Sequence, residues 1–205
     1  MAWSVKAAMA CKQIDKVVVT TDSDKYAQLA KFYGAEVINR PPELARDETA
    51  MEPVLKHTLE TVEKQGKKVD TLVLLDPTSP FRLASDIAKC LELLKQPGTE
   101  SVVTVCEVDH NPYFVMGTVD ERQYFHYPLI KPDLPIFRRQ DAPKVYRLNA
   151  CVYAIKRELV LKNERFTAKT RTVVMPLIRS THIDSPEDFL FAEFLLERKL
   201  IKLDY

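Results

Sequence analysis

The chain is predicted to fold as an α/β domain, a mostly parallel sheet flanked by helices, and three observations carry that reading. Apolar runs of strand length alternate with stretches of helical period from Val17 to Val108, the pattern of strands joined by crossover helices. One run, Leu72–Leu75, is continuous, as in a strand buried on both faces. It stops abruptly at Asp76-Pro77-Thr78-Ser79-Pro80, where two prolines forbid further ladder bonding. A polar loop at the carboxyl end of a buried strand is where open α/β sheets bind ligands.

The elements follow in order. Ala2–Ile14 is rich in alanine, with Trp3, Ala7 and Ala10 on one helical face. Lys16–Thr20 is a valine-rich strand that runs into the acidic turn Thr21-Asp22-Ser23-Asp24. Tyr26, Leu29, Ala30 and Tyr33 recur at helical spacing, and Gly34 closes that helix. Glu36–Ile38 is a short strand and Arg40–Ala45 a proline-stiffened loop. Met51, Leu55, Leu59 and Val62 mark the next helix, with Pro53 tolerated in its first turn. Ser85-Asp86 opens a helix with Ile87, Cys90, Leu91 and Leu94 on its apolar face. Ser101–Val108 is β-branched.

Alternation then breaks. Asn111–Lys144 carries five prolines among Tyr113, Phe114, Tyr124, Phe125, Tyr127 and Phe137. It is too apolar for a disordered linker and too rich in proline for long regular elements. It reads as an excursion of short strands that packs on a second copy of the chain, since exposed aromatic surface marks interfaces. Counted up to the next core strand, this inserted arm spans 111–148 of a single domain covering 1–205. Ala150–Lys156 returns to the core, and Val173–Met175 and Thr181–Ile183 are short strands. Ser185-Pro186-Glu187-Asp188 starts a helix with an N-cap hydroxyl, proline at N1 and acids in the first turn. Its buried face is expected at Leu190, Phe191, Phe194 and Leu195.

Composition limits the partners. Lys and Arg number 30 against 29 Asp and Glu, a net charge of +1, so no field of one sign favours nucleic acid or a membrane surface. No apolar run reaches transmembrane length, and Met1–Lys6 lacks a secretion signal's apolar core. Cys11, Cys90, Cys106 and Cys151 show no metal-site spacing, and three lie in apolar runs. Unpaired buried cysteines suit a reducing, cytoplasmic setting.

Polar groups gather at strand ends: Thr21, Asp22 and Asp24; Asp76, Thr78, Ser79 and Arg82; Asn149; His182 and Asp184. Asp22 and Asp24 suit turn and cap roles. A hard cation needs carboxylate oxygens, and one or two suffice when phosphates supply the rest; Asp184 and Asp76 are the candidates.

Taken together and in order, these segments resemble the acylneuraminate cytidylyltransferases, the CMP-sialic-acid synthetases. Val17–Asp22 (VVVTTD) matches a strand and acidic turn of that family. Gly34–Val37 with Arg40–Ala45 is similar to its "GAEV…RPxELA", and Leu74–Arg82 (LLDPTSPFR) to its "LLQPTSPLR". Arg138–Asp141 through Tyr146, Asn149 and Tyr153 follows its "RRQD…Y…NGAIY", and Ile183–Ser185 with Asp188-Phe189 its "DIDxxxDF". The resemblance implies a Rossmann-like fold of the nucleotide-diphospho-sugar transferase type. It also implies transfer of CMP from CTP to an acidic nine-carbon sugar with release of pyrophosphate, in a homodimer formed through the arm. Magnesium or manganese would be the cofactor, with Asp184 as ligand and catalytic acid beside His182 and Asp76. Arg40, Thr78, Ser79 and Arg82 would line the nucleotide crevice with Asn149. Arg138, Arg139, Gln140 and Tyr146 would reach a sugar site.

The sequence departs from the family pattern in three places. The opening strand and the glycine-rich basic loop "ARGGSKGxxxKN" that cradles the triphosphate have no counterpart, and the chain's four glycines form no cluster. This leaves a gap in the expected sheet, for which Leu200–Tyr205 is a candidate strand. It also leads to an expectation of slow turnover by this chain alone. His182 stands where the family has an aspartate, a poorer partner for magnesium. Asp76 replaces a glutamine and Ala150 a glycine; an acid at 76 either repels an acidic sugar or adds a metal oxygen. The alternatives to the enzyme reading are a catalytically impaired homologue acting as a sugar-binding dimer and a relative of the 3-deoxy-manno-octulosonate cytidylyltransferases.

Overall fold

The computed structural model describes all 205 residues. The first half alternates as the periodicity predicts: α1 (Ala2–Ala10), β1 (Val18–Thr21), α2 (Asp24–Phe32), β2 (Glu36–Asn39), α3 (Met51–Lys64), β3 (Thr71–Leu74), α4 (Ala84–Leu94) and β4 (Ser101–Glu107). Ser23 caps α2 by accepting from the Tyr26 amide, and Gly34 closes it at φ +92°, a backbone angle that a side chain would strain. The arm follows, with the hairpin β5 (Thr118–Val119) and β6 (Phe125–His126). Then come β7 (Tyr146–Lys156), α5 (Arg157–Leu161), β8 (Thr170–Val174) and α6 (Pro186–Glu197).

The sheet is mixed rather than mostly parallel. β7 runs antiparallel between β3 and β4, and β8 pairs parallel with the far side of β4. β1 and β2 form a separate parallel ribbon. β1 bonds only to β2 and β3 only to β7, so each has one unpaired side. Leu72–Leu75, expected to be sealed on both faces, is half-buried because β3 is an edge. Leu200–Tyr205 does not fill the gap. It forms no strand; Ile201 is buried near Phe81 and Leu195, and Asp204 turns to the start of α4. Thr181–Ile183 is not a strand either: the Ile183 amide bonds to the Thr78 carbonyl at 2.9 Å and draws the segment onto the loop after β3.

Alternation in β4 divides the core. Val102 faces α1 and α4 with Ala7, Cys11, Ile87 and Cys90, while Val103 and Val105 face α3 and α5 with Leu55, Leu59 and Leu159. α1 also meets two smaller clusters, through Trp3 beside Phe81 and through Val5 beside Ala30 and Ala35. All four cysteines are free and buried. Helix α6 buries Ala192 and Leu195, whereas Leu190, Phe191 and Phe194 are exposed, contrary to expectation. An all-round apolar helix gives its period no face to choose. No helix is long and apolar enough to cross a membrane.

Candidate active site

The loop from Asp76 to Leu83 leaves the carboxyl end of β3 and turns into α4. Asp76 Oδ1 accepts from the Thr78 amide at 3.1 Å and from Thr78 Oγ1 at 2.7 Å. That closes a local side-chain turn and fixes the threonine hydroxyl. The segment carrying His182 lies alongside. His182 Nδ1 is 2.8 Å from Ser79 Oγ, and its Nε2 is 3.2 Å from Thr78 Oγ1 and 3.1 Å from Asp184 Oδ1. Ser79 Oγ donates to the Asn149 carbonyl at 2.9 Å. The Asp184 side chain is 74% exposed and reaches open solvent. Thus Asp76, Thr78, Ser79, His182 and Asp184 do converge, two from one end of the chain and three from its middle.

Asn149 and Arg82 do not face the crevice as expected. Asn149 is 1% exposed. It sits where the register of β7 against β4 shifts, followed by Ala150 at φ +54°, and that bulge turns its amide into the core. Its Oδ1 accepts from Thr104 Oγ1 at 2.7 Å and its Nδ2 donates to Ser180 Oγ at 2.9 Å. Its contribution to the crevice is the carbonyl that holds Ser79. Arg82 is fully buried; its guanidinium donates to the Cys151 carbonyl, to Ser4 Oγ and to the Asp76 carbonyl. Burial pushes its pKa down. It ties the loop to β7 and α1, and it has no donor within reach of a ligand in the crevice.

Arg40 stands at the end of β2. Its Nη2 donates to the Thr20 carbonyl at 2.8 Å, and its buried Nε has no partner. Arg138 is paired with Asp141 at 2.8 Å and Arg139 with Asp109 at 3.9 Å. With Gln140 and the exposed Tyr146 they lie along the arm, and no hydrogen bond or ion pair joins them to the crevice cluster. Three supports were not foreseen. Asp86 accepts from the Leu83 amide and pairs with Arg179; its position in the first turn of α4 is the one local signal. Arg147 donates to the Ser180 carbonyl at 2.9 Å. Asp204 accepts from the amides of Ala84 and Ser85 at 2.8 and 3.1 Å. Burial pushes the Asp204 carboxyl up, but the amide hydrogen bonds outweigh it and hold it below the usual carboxylate range. Nothing in the local sequence marks a cap supplied from so far along the chain.

The residues expected to hold a divalent ion do not form a cage for one. No three His, Cys, Asp or Glu groups lie close enough to share an ion. Asp76 Oδ1 is committed to Thr78, and every oxygen beside the His182 ring belongs to Ser79, Thr78 or Asp184. A magnesium ion that keeps waters and takes phosphate oxygens needs only one or two protein carboxylates, and in this cluster the Asp184 carboxylate is open to solvent.

Comparison with known proteins agrees with this picture of the fold. A family model described as cytidylyltransferase matches residues 1–172. A CMP-N,N'-diacetyllegionaminic acid synthase of Campylobacter jejuni is 34% identical over 203 residues, covering 97% of this chain and 84% of the relative. An N-acylneuraminate cytidylyltransferase of Escherichia coli is 26% identical over 200 residues, covering 97% of this chain and 46% of the relative. Among solved structures, a CMP:2-keto-3-deoxy-manno-octonic acid synthetase complexed with CTP superposes with a TM-score of 0.65 at 16% identity, covering 96% of this chain and 87% of that one.

Proposed function

The chain belongs to the cytidylyltransferase family, and from that premise we propose that it transfers CMP from CTP to an acidic nine-carbon sugar of the legionaminate or sialate type. The observation that carries the proposal is the 34% identity, over almost the whole chain, to a CMP-N,N'-diacetyllegionaminic acid synthase. In the reaction the anomeric hydroxyl of the sugar attacks the α-phosphorus of CTP. The bond from that phosphorus to the bridging oxygen breaks, pyrophosphate leaves, and the hydroxyl proton passes to a base or to solvent.

In this reading Thr78, Ser79 and Arg40 line the nucleotide side of the crevice. Asp184, exposed and beside His182, takes the role of catalytic carboxylate. Arg138, Arg139, Gln140 and Tyr146 serve the sugar side, in this subunit or its partner. Magnesium or manganese travels with the triphosphate, whose charge it offsets, and no protein cage is assigned to it. The arm makes the protein a homodimer: Tyr124, Phe125, Leu134 and Phe137 are all at least 60% exposed, more apolar surface in one excursion than a monomer ordinarily leaves open. Four free buried cysteines fit a reducing, cytoplasmic setting.

The test is pyrophosphate release from CTP with N,N'-diacetyllegionaminate, N-acetylneuraminate or 3-deoxy-manno-octulosonate as acceptor, alongside calorimetric binding of CTP. Release that depends on a nine-carbon acceptor supports the proposal. Release with the eight-carbon acid alone favours the octulosonate reading, and no sugar-dependent release together with no CTP binding overturns both.

A further inference from the structure

The most deeply buried ion pair of the protein joins the two segments that form the crevice. The side chain of Asp86 is 2% exposed and that of Arg179 15%; the next most buried pair, Arg165 with Glu52, leaves 24% and 23% exposed. Asp86 stands in the first turn of α4. Its Oδ2 accepts from the Leu83 amide at 2.9 Å, at the end of the loop that carries Thr78 and Ser79. The same oxygen accepts from Arg179 Nη1, and Oδ1 accepts from Nη2 at 3.2 Å. Arg179 opens the segment that leads through Ser180 to His182 and Asp184. Other anchors of the two segments run elsewhere: Arg82 ties the loop to β7 and α1, while Arg147 and Asn149 tie Ser180 to β7. The remaining hydrogen bonds between loop and segment lie together at one place. There the Ile183 amide meets the Thr78 carbonyl at 2.9 Å and the His182 ring meets the hydroxyls of Thr78 and Ser79. One point of attachment leaves an orientation free, and Asp86 supplies the second.

We propose that Asp86 is a positioning residue: by gripping Arg179 it sets where the Asp184 segment lies against the Thr78–Ser79 loop. A buried ion pair is weak evidence for stability, because desolvation offsets the attraction. What this one supplies is a single geometry, through two hydrogen bonds from a planar guanidinium to one carboxylate. The effect on turnover rests on the proposed cytidylyl transfer; the effect on the segment rests on the hydrogen bonds alone. The two effects are separable in kinetics. Thr78 and Ser79 stay on a loop that Arg82 still holds, so the nucleotide side keeps its shape when Asp86 is changed. Asp184 loses its fixed place relative to that side. A group that matters only when bonds are changing lowers kcat when displaced and leaves KM nearly alone.

The experiment compares the native chain with Asp86→Asn, Arg179→Lys and Asp204→Asn, well below their melting temperatures. Asp204→Asn is the control, since it weakens the start of the same helix without touching Arg179. Two quantities are read: pyrophosphate release from CTP with the nine-carbon acceptors, and amide hydrogen exchange followed by NMR. Asp86→Asn is expected to lower kcat about 10- to 100-fold, the range set by a misplacement of about 1 Å, with KM for CTP changed by less than about threefold. Arg179→Lys keeps the charge but not the paired hydrogen bonds and should fall between Asp86→Asn and native. Exchange at Ile183 should quicken about tenfold or more in Asp86→Asn, as in a local opening, and stay near native in the control. An unchanged kcat, a loss confined to KM, or an equal loss in Asp204→Asn overturns the proposal. If the native chain releases no pyrophosphate, the transfer reading fails and exchange alone decides: quickening at Ile183 in Asp86→Asn supports the joint, and native protection there overturns it. If Asp86→Asn does not fold, Arg179→Lys decides on the same terms.

Discussion

Replacing Asn149 with alanine tests whether this residue belongs to the core or to the ligand crevice. Two of its hydrogen bonds have strong geometry, from Thr104 Oγ1 at 2.7 Å and to Ser180 Oγ at 2.9 Å; each is worth about 1 kcal/mol net. Neither hydroxyl is stranded by the change. Thr104 Oγ1 can turn to the Val152 carbonyl at 3.3 Å, and Ser180 Oγ keeps the Pro176 carbonyl at 3.0 Å. The Cys151 amide is less fortunate: it donates to Asn149 Oδ1 at 3.3 Å in the bulge, and a buried donor left without a partner costs about 1–3 kcal/mol. The expected loss is therefore about 3–5 kcal/mol, a large share of the stability of an ordinary domain. Urea denaturation followed through the fluorescence of Trp3, the chain's single tryptophan, gives the measurement, with a lower midpoint and an unchanged slope. Combined with Thr104→Val, the two losses should fall short of additivity by about 1 kcal/mol, because they share one bond. A loss below about 1 kcal/mol, or full additivity, would refute the account of the bulge and return Asn149 to the list of ligand-binding groups.

Four further outcomes are expected. Arg82→Met should destabilise by about 3–5 kcal/mol, as when a buried charged hydrogen-bond network loses its centre, with Arg82→Lys recovering only part of it in the same urea experiment. Asp204→Asn should lower stability by about 1 kcal/mol through the weakened cap of α4, a melting shift of about 2–4 °C for a chain this size. Because the folded-state pKa of Asp204 is depressed, its contribution is present above the unfolded value of 3.8 and is lost as pH falls through the lower folded value; the native and variant melting curves should therefore converge in strong acid and separate above about pH 4. Ala150→Gly should stabilise by roughly 0.5–1 kcal/mol, since relief of the left-handed backbone outweighs the added chain entropy, and a fall in melting temperature would contradict this. Leu134→Asp should shift the protein from dimer to monomer in sedimentation at micromolar concentration, and a native chain already monomeric there would remove the arm's proposed role.

Much of the fold was legible because local signals agreed with one another. Gly34 after an amphipathic stretch, and Ser185-Pro186 ahead of Asp188, mark helix ends whose caps depend on neighbouring residues alone. The Asp76–Ser79 turn and the Asp184 segment were likewise readable as strand-end polar groups. What escaped was settled at long range. The direction of β7 depends on which strands flank it, and neither is adjacent in sequence. Arg82 and Asn149 look like surface groups by type; their burial follows from acceptors 69 to 78 positions away for Arg82 and from a register shift for Asn149. The exposed face of α6 was missed because its apolar residues surround the helix.

The division of the sheet bears on how the molecule opens. The β1–β2 ribbon shares no ladder with the other four core strands, so its registry with them passes through side chains on α1, where Val5 meets one cluster and Ala7 and Cys11 another. A helix of nine residues is a weak clamp once its packing loosens. Amide hydrogens in Val18–Thr21 and Glu36–Asn39 should then exchange with solvent well ahead of those in β4 and β7. The chain would behave as two cooperative units, with Arg40 riding on the looser one and the His182–Asp184 pair fixed to the firmer. Relative movement of these two units would be a motion available to the protein without breaking a single interstrand bond.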